Sequence, residues 1–423
     1  MAHSLIWRKW NNERSNLMNT GDTAFVLVSS ALVMLMTPGL ALFYGGMVRE
    51  KNVLGTIMQS YIILALITCE WVLWGYSLSF GPDLGGLIGG LDWFGLRGVG
   101  LEPHGTYGPT VPHLAFMIFQ CMFAVITPAL ITGAFAERMR FNSFLLFTLL
   151  WATFVYNPLA HWVWGSGGWM SKMGALDFAG GTVVHISSGA SAFAAALVVG
   201  RRLGYGSTAY IPHNLPMTIT GAALLWFGWF GFNAGSALAA NGLAASAFVV
   251  THIASAVAAL SWLFMEWVHR GKPTTLGAAS GAVAGLVAIT PGCGFVGPFS
   301  AILIGGIAGV ICYGGVMLKG KWRYDDALDV VGIHGFGGTW GALATGLFAS
   351  KTVNPAGSDG LFFGHAGQLG VQFVSVLATI VFAFVMTLII LKVVDWAAGV
   401  RVSDEDEERG MDISMHDEKG YSS

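Results

Sequence analysis

Long, almost uninterrupted apolar segments constrain the fold of this chain more than any other feature of its sequence. A bilayer offers backbone amides no hydrogen-bonding partners, so an apolar segment that crosses it must form a helix of about 20 residues. Eleven such segments are present, at 22–46, 55–79, 113–136, 143–164, 178–199, 217–234, 243–268, 275–291, 298–318, 328–349 and 366–395. We therefore predict an all-α polytopic membrane protein with eleven transmembrane helices.

The composition supports a tightly packed helical bundle in lipid. Charged residues make up 10% of the 423 residues, compared with about 25% in soluble domains. The 59 glycines allow helix backbones to approach closely, which matters where packing rather than water exclusion holds helices together. A net charge of −2 without a basic stripe argues against nucleic-acid binding. The four cysteines lack CxxC spacing and are interpreted as packed thiols.

Basic residues are distributed unequally between alternating loops, which predicts the orientation in the membrane. One set of loops contains eleven of them: Arg49, Lys51, Arg138, Arg140, Arg201, Arg202, Arg270, Lys272, Lys319, Lys321 and Arg323. The opposite set contains three: Arg97, Lys172 and Lys351. Because Lys and Arg concentrate in cytoplasmic loops, we expect a multi-pass protein of the cell (inner) membrane with its N-terminus outside and its C-terminus in the cytoplasm.

The helices divide into two halves of five around a polar loop near the middle of the helical region. Five is an odd number, so the two halves must have opposite orientations, and such inverted repeats place a substrate path at their interface near the midplane. We predict an external N-terminal extension, a first half-repeat, a cytoplasmic linker, a second half-repeat, an external loop with helix eleven, and a cytoplasmic tail. Their bounds are 1–21, 22–199, 200–216, 217–349, 350–395 and 396–423.

Two histidines occupy matching positions in the two halves. In DFAGGTVVHISSG, Asp177 precedes His185 by eight residues, and Asp326 precedes His334 by the same spacing in DALDVVGIHG. Each histidine lies on the fifth helix of its half, so inverted pseudosymmetry would bring the two rings together. Eight helical residues rise about 12 Å, which places each aspartate near a helix N-terminus, where it can cap free N–H groups. Ionisable residues inside a membrane are costly and mark candidate sites.

These residues also have structural interpretations. A lone buried imidazole can simply bond to a carbonyl, but the matched pair favours a functional site of two neutral rings, one donating and one accepting a hydrogen bond. Without a third ligand at suitable spacing the pair makes a poor zinc or iron site, so we expect no metal and no cofactor. Asp326 and Asp329 are interpreted as structural residues, whereas Asp177 can either cap its helix or contribute to binding.

Two further ionisable residues lie within predicted helices. His252 has no counterpart in the matching helix two and is interpreted as a structural histidine. Glu70 lies in the middle of helix two, where it is either protonated or bonded to facing hydroxyls and amides, and its role is left open.

Aromatic residues recur near the external ends of helices three, four and six. They are Phe119 and Phe123 on helix three, Trp164 at the end of helix four, and Trp229 and Phe232 on helix six, followed there by Ser236. Aromatics in such places usually pack in the core or anchor the chain at the membrane interface. Their convergence with Ser236 and Asp177 at the external edge favours a binding site instead.

The sequence resembles the Amt/Mep ammonium transporters, of the bacterial type, within the Amt/Mep/Rh superfamily. The resemblance runs from about residue 22 to the tail and rests on the strings TPGLALFYGGMVR, GAFAERMRF, DFAGGTVVHI, GWFGFNAGS, GKPTTLGAASGAVAGLVAITPGCG and DVVGIHGFGG. It implies a homotrimer in membrane lipid, with one conducting path for ammonium or ammonia in each subunit and methylammonium as an analogue. It also implies transport rather than an enzymatic reaction, and hence no catalytic residues.

The resemblance assigns roles to the candidate residues. His185 and His334 match the twin histidines of the path, and Phe123 and Phe232 match a stacked phenylalanine gate, near Phe119 and Trp229. The outer recruitment site corresponds to Trp164, Phe123 and Ser236, with Asp177 as its supporting carboxylate. The expected mechanism is recruitment of ammonium, loss of a proton, and passage of ammonia past the histidines. Whether the proton also crosses is not decided by the sequence.

The same family resemblance suggests two alternative functions and one protein partner. An Rh-type ammonia or gas channel would lack the Trp and Ser of WVWGSGG and GFNAGS. An ammonium sensor with the same fold would usually carry a signalling domain, whereas a short tail follows helix eleven. That tail is either a disordered acidic end or, through EERGMDISMHDEKGY, similar to an ordered region of the family that meets a PII-type regulatory protein.

Overall fold

The computed structural model describes residues 18–422 as a bundle of helices. The predicted extension at 1–21 therefore lies mostly outside the described residues. The long helices are α1 (Thr20–Met47), α2 (Glu50–Phe80), α3 (His113–Ala134), α4 (Phe141–Met173), α5 (Gly181–Val199), α6 (Leu215–Gly235), α7 (Gly242–Arg270), α8 (Thr275–Ile289), α9 (Pro298–Trp322), α10 (Phe336–Phe348) and α11 (Gly367–Ala398).

Within residues 18–422, nine of these helices are long and apolar enough to cross a membrane. Helix α8 is apolar but has only 15 residues, and α10 has 13 residues and is preceded by a π-helical turn, Val331–Gly335. The helical polytopic membrane class predicted from the apolar segments is therefore confirmed. The number of crossings and the inverted repeat remain predictions.

Several helices contain π-helical turns. In addition to Val331–Gly335, such turns occur at Trp71–Gly75 in α2, Ala152–Tyr156 in α4 and Gly181–Ile186 at the start of α5. A π turn adds one residue to a helical turn and so shifts the direction of the following side chains, and it frequently occurs at functional sites. Hydropathy does not predict these turns, because a π turn needs no change in apolar character.

Close backbone contacts between glycines and neighbouring helices bring the bundle together. A Cβ atom on Gly221 of α6 would lie 2.2 Å from the backbone nitrogen of Phe43 in α1. Only glycine allows α1 and α6 to approach this closely, as expected for helices that associate by packing in lipid. Both helices also contribute side chains to the centre of the bundle, where the candidate site lies.

The polar segments are also structured. The loop between α2 and α3 contains two short antiparallel pairs, β1 (Asp83–Leu84) with β2 (Ile88–Gly89), and β3 (Pro103–His104) with β4 (Gly108–Pro112). The tail forms two helices, α12 (Asp404–Arg409) and α13 (Met411–His416). The Asp412 carboxylate accepts hydrogen bonds from the backbone N–H groups of Leu54 and Gly55 at 3.0 and 2.8 Å, which holds the tail against α2.

Candidate functional site: a vestibule and a narrow pore

The two predicted histidines lie side by side in the middle of the bundle. His185 belongs to the π turn that opens α5, and His334 to the π turn that precedes α10. Their Nδ1 atoms are 3.2 Å apart and their ring centroids 5.3 Å apart, and both rings are buried. One ring can donate this hydrogen bond only if the other accepts it, so the geometry suits a pair of neutral imidazoles.

The histidines meet because the two helices that carry them cross at glycines. A Cβ atom on Gly189 would lie 2.3 Å from the Cα atom of Gly335, the residue that follows His334. A Cβ atom on Gly338 would lie 2.9 Å from the Cβ atom of His185. Larger residues at this crossing would separate the backbones and therefore the rings.

Asp177 organises the start of α5. Its Oδ1 atom accepts hydrogen bonds from the backbone N–H groups of Gly180 and Gly181 at 2.7 and 2.6 Å, and its Oδ2 atom accepts one from Thr182 at 2.8 Å. The carboxylate thus satisfies free donors at the beginning of the helix that carries His185.

Asp326 and Asp329 occupy two different environments before α10. The Oδ2 atom of Asp326 accepts a hydrogen bond from the backbone N–H of Val331 at 2.8 Å, where the π turn begins. Asp329 has a φ of +63°, and its carboxylate forms an ion pair with the ammonium group of Lys319. Asp326 therefore caps the segment that carries His334, whereas Asp329 links that segment to the end of α9.

An enclosed apolar cavity surrounds the two histidine rings. Its volume is about 10 Å³, at the lower limit of the 10–15 Å³ that a single water molecule needs. Besides the histidines, the lining side chains include Met36, Leu40, Tyr44, Ile126, Leu225, Trp229 and Phe232. Trp229 stacks on His185 with ring centroids 5.4 Å apart and donates its Nε1–H to the Thr290 hydroxyl at 2.9 Å. We refer to this narrow, mostly apolar cavity as the pore.

A wider vestibule lies on the other side of a pair of phenylalanines. Its volume is about 300 Å³, and its walls include Tyr107, Gln120, Phe123, Trp164, Phe178 and Ser236. Phe123 lines the vestibule and Phe232 lines the pore, and their rings stack with centroids 4.2 Å apart. These two rings are the wall between the vestibule and the pore. Phe119 packs edge-on behind Phe123, at 5.0 Å, and is not among the side chains lining either cavity.

Trp164 and Ser236 are held at the vestibule by hydrogen bonds to backbone atoms. The Trp164 Nε1–H donates to the carbonyl of Asp177 at 2.9 Å, which leaves the indole face available to the cavity. The Ser236 hydroxyl donates to the Phe232 carbonyl at 2.9 Å, so its oxygen lone pairs remain free to accept. The vestibule therefore combines aromatic faces with a directed acceptor.

Glu70 and His252 are separate from both cavities. The Glu70 Oε1 atom accepts hydrogen bonds from the Asn157 amide at 2.8 Å and the Thr153 hydroxyl at 3.2 Å, which matches the interpretation of a carboxyl bonded to hydroxyls and amides. His252 is exposed on α7 and packs against Trp226, with ring centroids 5.5 Å apart and the ring planes tilted. Within residues 18–422, no group of three or more His, Cys, Asp or Glu side chains could hold a metal ion.

Sequence reasoning missed several residues of the two cavities. Tyr107 lies in a loop far from the transmembrane motifs, yet it lines the vestibule, and its hydroxyl accepts a hydrogen bond from the backbone N–H of Ser166 at 2.7 Å. Phe178 lines the vestibule beside Trp164, and Tyr44 lines the pore. Tyr44 and Phe178 belong to the family-like strings TPGLALFYGGMVR and DFAGGTVVHI, whose individual aromatic residues are the signal that could have identified them.

Known proteins resemble the chain over nearly its whole length. The sequence model of the Ammonium Transporter Family matches residues 24–421. An ammonium transporter of Bacillus subtilis is 56% identical over 405 residues, which cover 96% of this chain and 99% of that protein.

Solved structures show the same fold. The crystal structure of Saccharomyces cerevisiae Mep2 matches with a TM-score of 0.87 and 36% identity, covering 92% of this chain and 89% of that one. A structure named Sensor Amt Protein matches with a TM-score of 0.86 and 29% identity, covering 96% of this chain and all of that one. On the family match and the identity to its members, this chain belongs to the ammonium transporter family.

Proposed function

We propose that the protein is an ammonium transporter that recruits ammonium in the vestibule and conducts ammonia, with or without its proton, through the pore. The observation that carries this proposal is the order of the cavities. A polar, aromatic vestibule is separated by Phe123 and Phe232 from a narrow, mostly apolar pore that contains two facing imidazoles. Each part suits a different form of the substrate.

The vestibule suits the cation. The faces of Trp164 and Phe123 attract a cation by about 0.5–2 kcal/mol each, and the Ser236 oxygen accepts one N–H bond. Asp177 supports the site through its position behind Trp164. Potassium has the same charge but no N–H donors, so a directional acceptor favours ammonium over potassium.

The pore suits the neutral molecule. An unpaired cation in an apolar cavity would cost tens of kcal/mol by Born solvation, and no carboxylate is among the side chains lining it. Ammonia avoids this cost, and the imidazole nitrogens of His185 and His334 can accept or donate a hydrogen bond as it passes. The proton is either left outside or relayed through the ring pair.

The membrane arrangement belongs to the same proposal. Eleven crossings in an inverted five-plus-five repeat with a final helix place the two histidine segments in corresponding positions of the halves. The basic loops face the cytoplasm, as does the tail, which offers a surface for a PII-type regulatory protein. Three subunits form a homotrimer, and each contains its own vestibule and pore.

Currents on a solid-supported membrane test the transport proposal. If the proton crosses with ammonia, we expect the reconstituted protein to give transient currents with ammonium and methylammonium pulses. Potassium at the same concentration should give no current. Electroneutral passage would instead appear as a pH change inside the vesicles without current. Equal responses to ammonium and potassium would contradict the proposal.

A sensor function is the second candidate, because the structure named Sensor Amt Protein shares the fold. The same vesicles distinguish the two functions. A sensor would bind ammonium, detected as a change in Trp fluorescence, without current or pH change.

A further inference from the structure

His161 of α4 has a hydrogen-bond acceptor opposite each of its two ring nitrogens. Its Nδ1 atom lies 3.0 Å from the carbonyl oxygen of Ser79, and its Nε2 atom lies 3.0 Å from the Oδ1 atom of Asp83. The His161 side chain is fully buried, whereas that of Asp83 is 24% exposed. His161 lines neither the vestibule nor the pore, so transport as described above gives it no role.

Both partners of the ring can only accept a hydrogen bond from it. The Ser79 carbonyl has no proton to donate. The Asp83 carboxylate also accepts hydrogen bonds from the backbone N–H of Gly86 at 2.6 Å and from the Lys172 ammonium group at 3.2 Å. The hydrogen bond from His161 holds the pKa of Asp83 below its usual value, so the carboxyl is ionised. Because a neutral imidazole has one N–H and cannot donate twice, the two contacts together require an imidazolium cation.

The surroundings of the ring suit a positive charge. Ser79 lies in the last turn of α2, which ends at Phe80, and carbonyl groups at the C-terminus of a helix attract cations. Asp83 supplies the opposing negative charge, and the Lys172 side chain on the far side of Asp83 is 63% exposed. Burial and the charge of Asp83 both raise the pKa of Tyr107, which keeps that hydroxyl neutral.

The turn that follows Trp164 is folded closely around this ion pair. The helical part of α4 ends at Trp164, and Gly165 comes directly after it. A Cβ atom on Gly165 would lie 2.5 Å from the Nδ1 atom of His161, and one on Gly167 would lie 2.5 Å from the Cβ atom of Asp83. Only glycines allow the backbone to approach the ring and the carboxylate this closely. The position of the ion pair therefore determines the path of the chain next to Trp164.

We infer that His161 is a positively charged positioning residue that fixes Trp164 at the wall of the vestibule. The two residues are three positions apart and are therefore neighbours on the helix. Phe80, which follows Ser79, lines the same vestibule. The contacts with Ser79 and Asp83 thus join the end of α4 to the end of α2 at the vestibule wall. This inference rests on the proposed function, in which Trp164 recruits ammonium.

Transport into vesicles distinguishes a positioning role from a purely structural one. We expect His161→Gln and Asp83→Asn to raise the half-saturating ammonium concentration about 2- to 10-fold, within the range for loss of one cation–π contact. Maximal transport should be retained. In a Trp164→Leu protein, His161→Gln should cause no further increase, because it acts through Trp164. Asp83→Asn changes a half-buried loop residue and tests the ion pair if His161→Gln does not fold.

Two matched variants control for the loss of a charge and of a histidine. Lys172→Gln removes the exposed partner of Asp83, and exposed ion pairs contribute little. His365→Gln removes an exposed histidine elsewhere. Both should keep the half-saturating concentration of the unmodified protein, and thermal unfolding in detergent checks that every variant is folded.

Nitrogen NMR of protein labelled in its histidine rings measures the charge of His161. The signals of His161 are those that are missing in His161→Gln or shifted in Asp83→Asn. At the pH of the transport measurements, we expect both of its ring nitrogens to be protonated. A non-protonated nitrogen assigned to His161 would overturn the inferred charge.

Three transport results would overturn the positioning role. In the first, His161→Gln and Asp83→Asn keep the half-saturating concentration of the unmodified protein. In the second, the effects of His161→Gln and Trp164→Leu multiply in the double variant. In the third, maximal transport falls while the half-saturating concentration stays the same, which would indicate a structural role. An unmodified protein without any ammonium response would instead contradict the proposed function itself, and with it the positioning role.

Discussion

The Nδ1 atoms of His185 and His334 lie 3.2 Å apart although 149 residues separate them in the chain. Each ring is carried by a π turn, and the two helices cross where Gly189 meets Gly335. Asp177 and Asp326 fix the starts of the two segments through backbone N–H groups. The pair is thus positioned by capping, by π turns and by close glycine packing, all within a narrow, mostly apolar cavity.

Replacing either histidine should abolish transport. We expect His185→Ala and His334→Ala to reduce the ammonium-evoked current or pH change at least tenfold, because each removes one half of the hydrogen-bonded pair of imidazoles that lines the pore. His252→Ala is the matched control, since His252 is exposed and packs against Trp226 outside the pore. Unchanged transport in both pore variants would show that the pair is structural.

How far the sequence predicted this site depends on whether the interacting residues share a local pattern. The same eight-residue spacing joins Asp177 to His185 and Asp326 to His334, and together with the predicted inverted repeat it indicated the pairing of the two rings that the structure shows. Tyr107 reaches the vestibule from a β-paired loop through a tertiary contact with Ser166. No local pattern records such a contact, and it could not be predicted.

Hydropathy predicts where the long helices lie along the chain, but it does not predict their local geometry. Helix α1 was expected at 22–46 and spans Thr20–Met47, since apolar length defines a lipid-crossing segment. The π turns and the left-handed backbone of Asp329 depend on packing and on the ion pair with Lys319, which composition does not encode. Phe119 was grouped with the gate by its one-turn spacing from Phe123, but that spacing does not say which ring faces the cavity.

Adding one methyl group at the helix crossing should disturb the pore. In Gly189→Ala the new Cβ would lie 2.3 Å from backbone atoms of Gly335, so the helices must separate. Overpacking of this kind costs about 1–3 kcal/mol. We expect a lower unfolding temperature in detergent and a weaker ammonium response. Gly370→Ala in α11, where a Cβ would meet nothing within 4 Å, should change neither, and an equally stable Gly189→Ala protein would contradict the proposed crossing.

Removing the vestibule tryptophan should weaken recruitment without closing the pore. Trp164→Leu loses a cation–π contact of about 0.5–2 kcal/mol, which corresponds to a rise of about 2- to 30-fold in the half-saturating ammonium concentration. Maximal transport should be retained, because Trp164 does not line the pore. Trp396→Leu, at a side chain that is 88% exposed, is the control. A loss of maximal transport with an unchanged half-saturating concentration would place Trp164 in the conducting step instead.

A buried charged cluster of Arg138, Arg202 and Asp325 should make stability depend on pH. Burial alone would raise the pKa of Asp325, but its hydrogen bonds with Arg202 and the nearby charge of Arg138 hold that pKa below its usual value. The Arg202 guanidinium binds the carboxylate at 2.8 and 2.9 Å. A depressed folded-state pKa stabilises the protein above the unfolded value of about 3.9, and this contribution is lost as the pH falls through the folded value.

The variant Asp325→Asn tests whether the charge of Asp325 stabilises the cluster. Asp325→Asn should lower stability at pH 7 by about 3–5 kcal/mol, because it leaves part of a buried ion pair uncompensated. The loss should become smaller as the pH falls below the unfolded pKa of about 3.9, because the carboxylate is then protonated first in the unfolded state and in the folded state only at a still lower pH. Thermal unfolding in detergent between pH 2 and 7 measures the difference, and Glu405→Gln, at an exposed side chain, should follow the unmodified protein throughout. A destabilisation by Asp325→Asn that stays constant across this range would mean that hydrogen-bond geometry, rather than the charge of Asp325, stabilises the cluster.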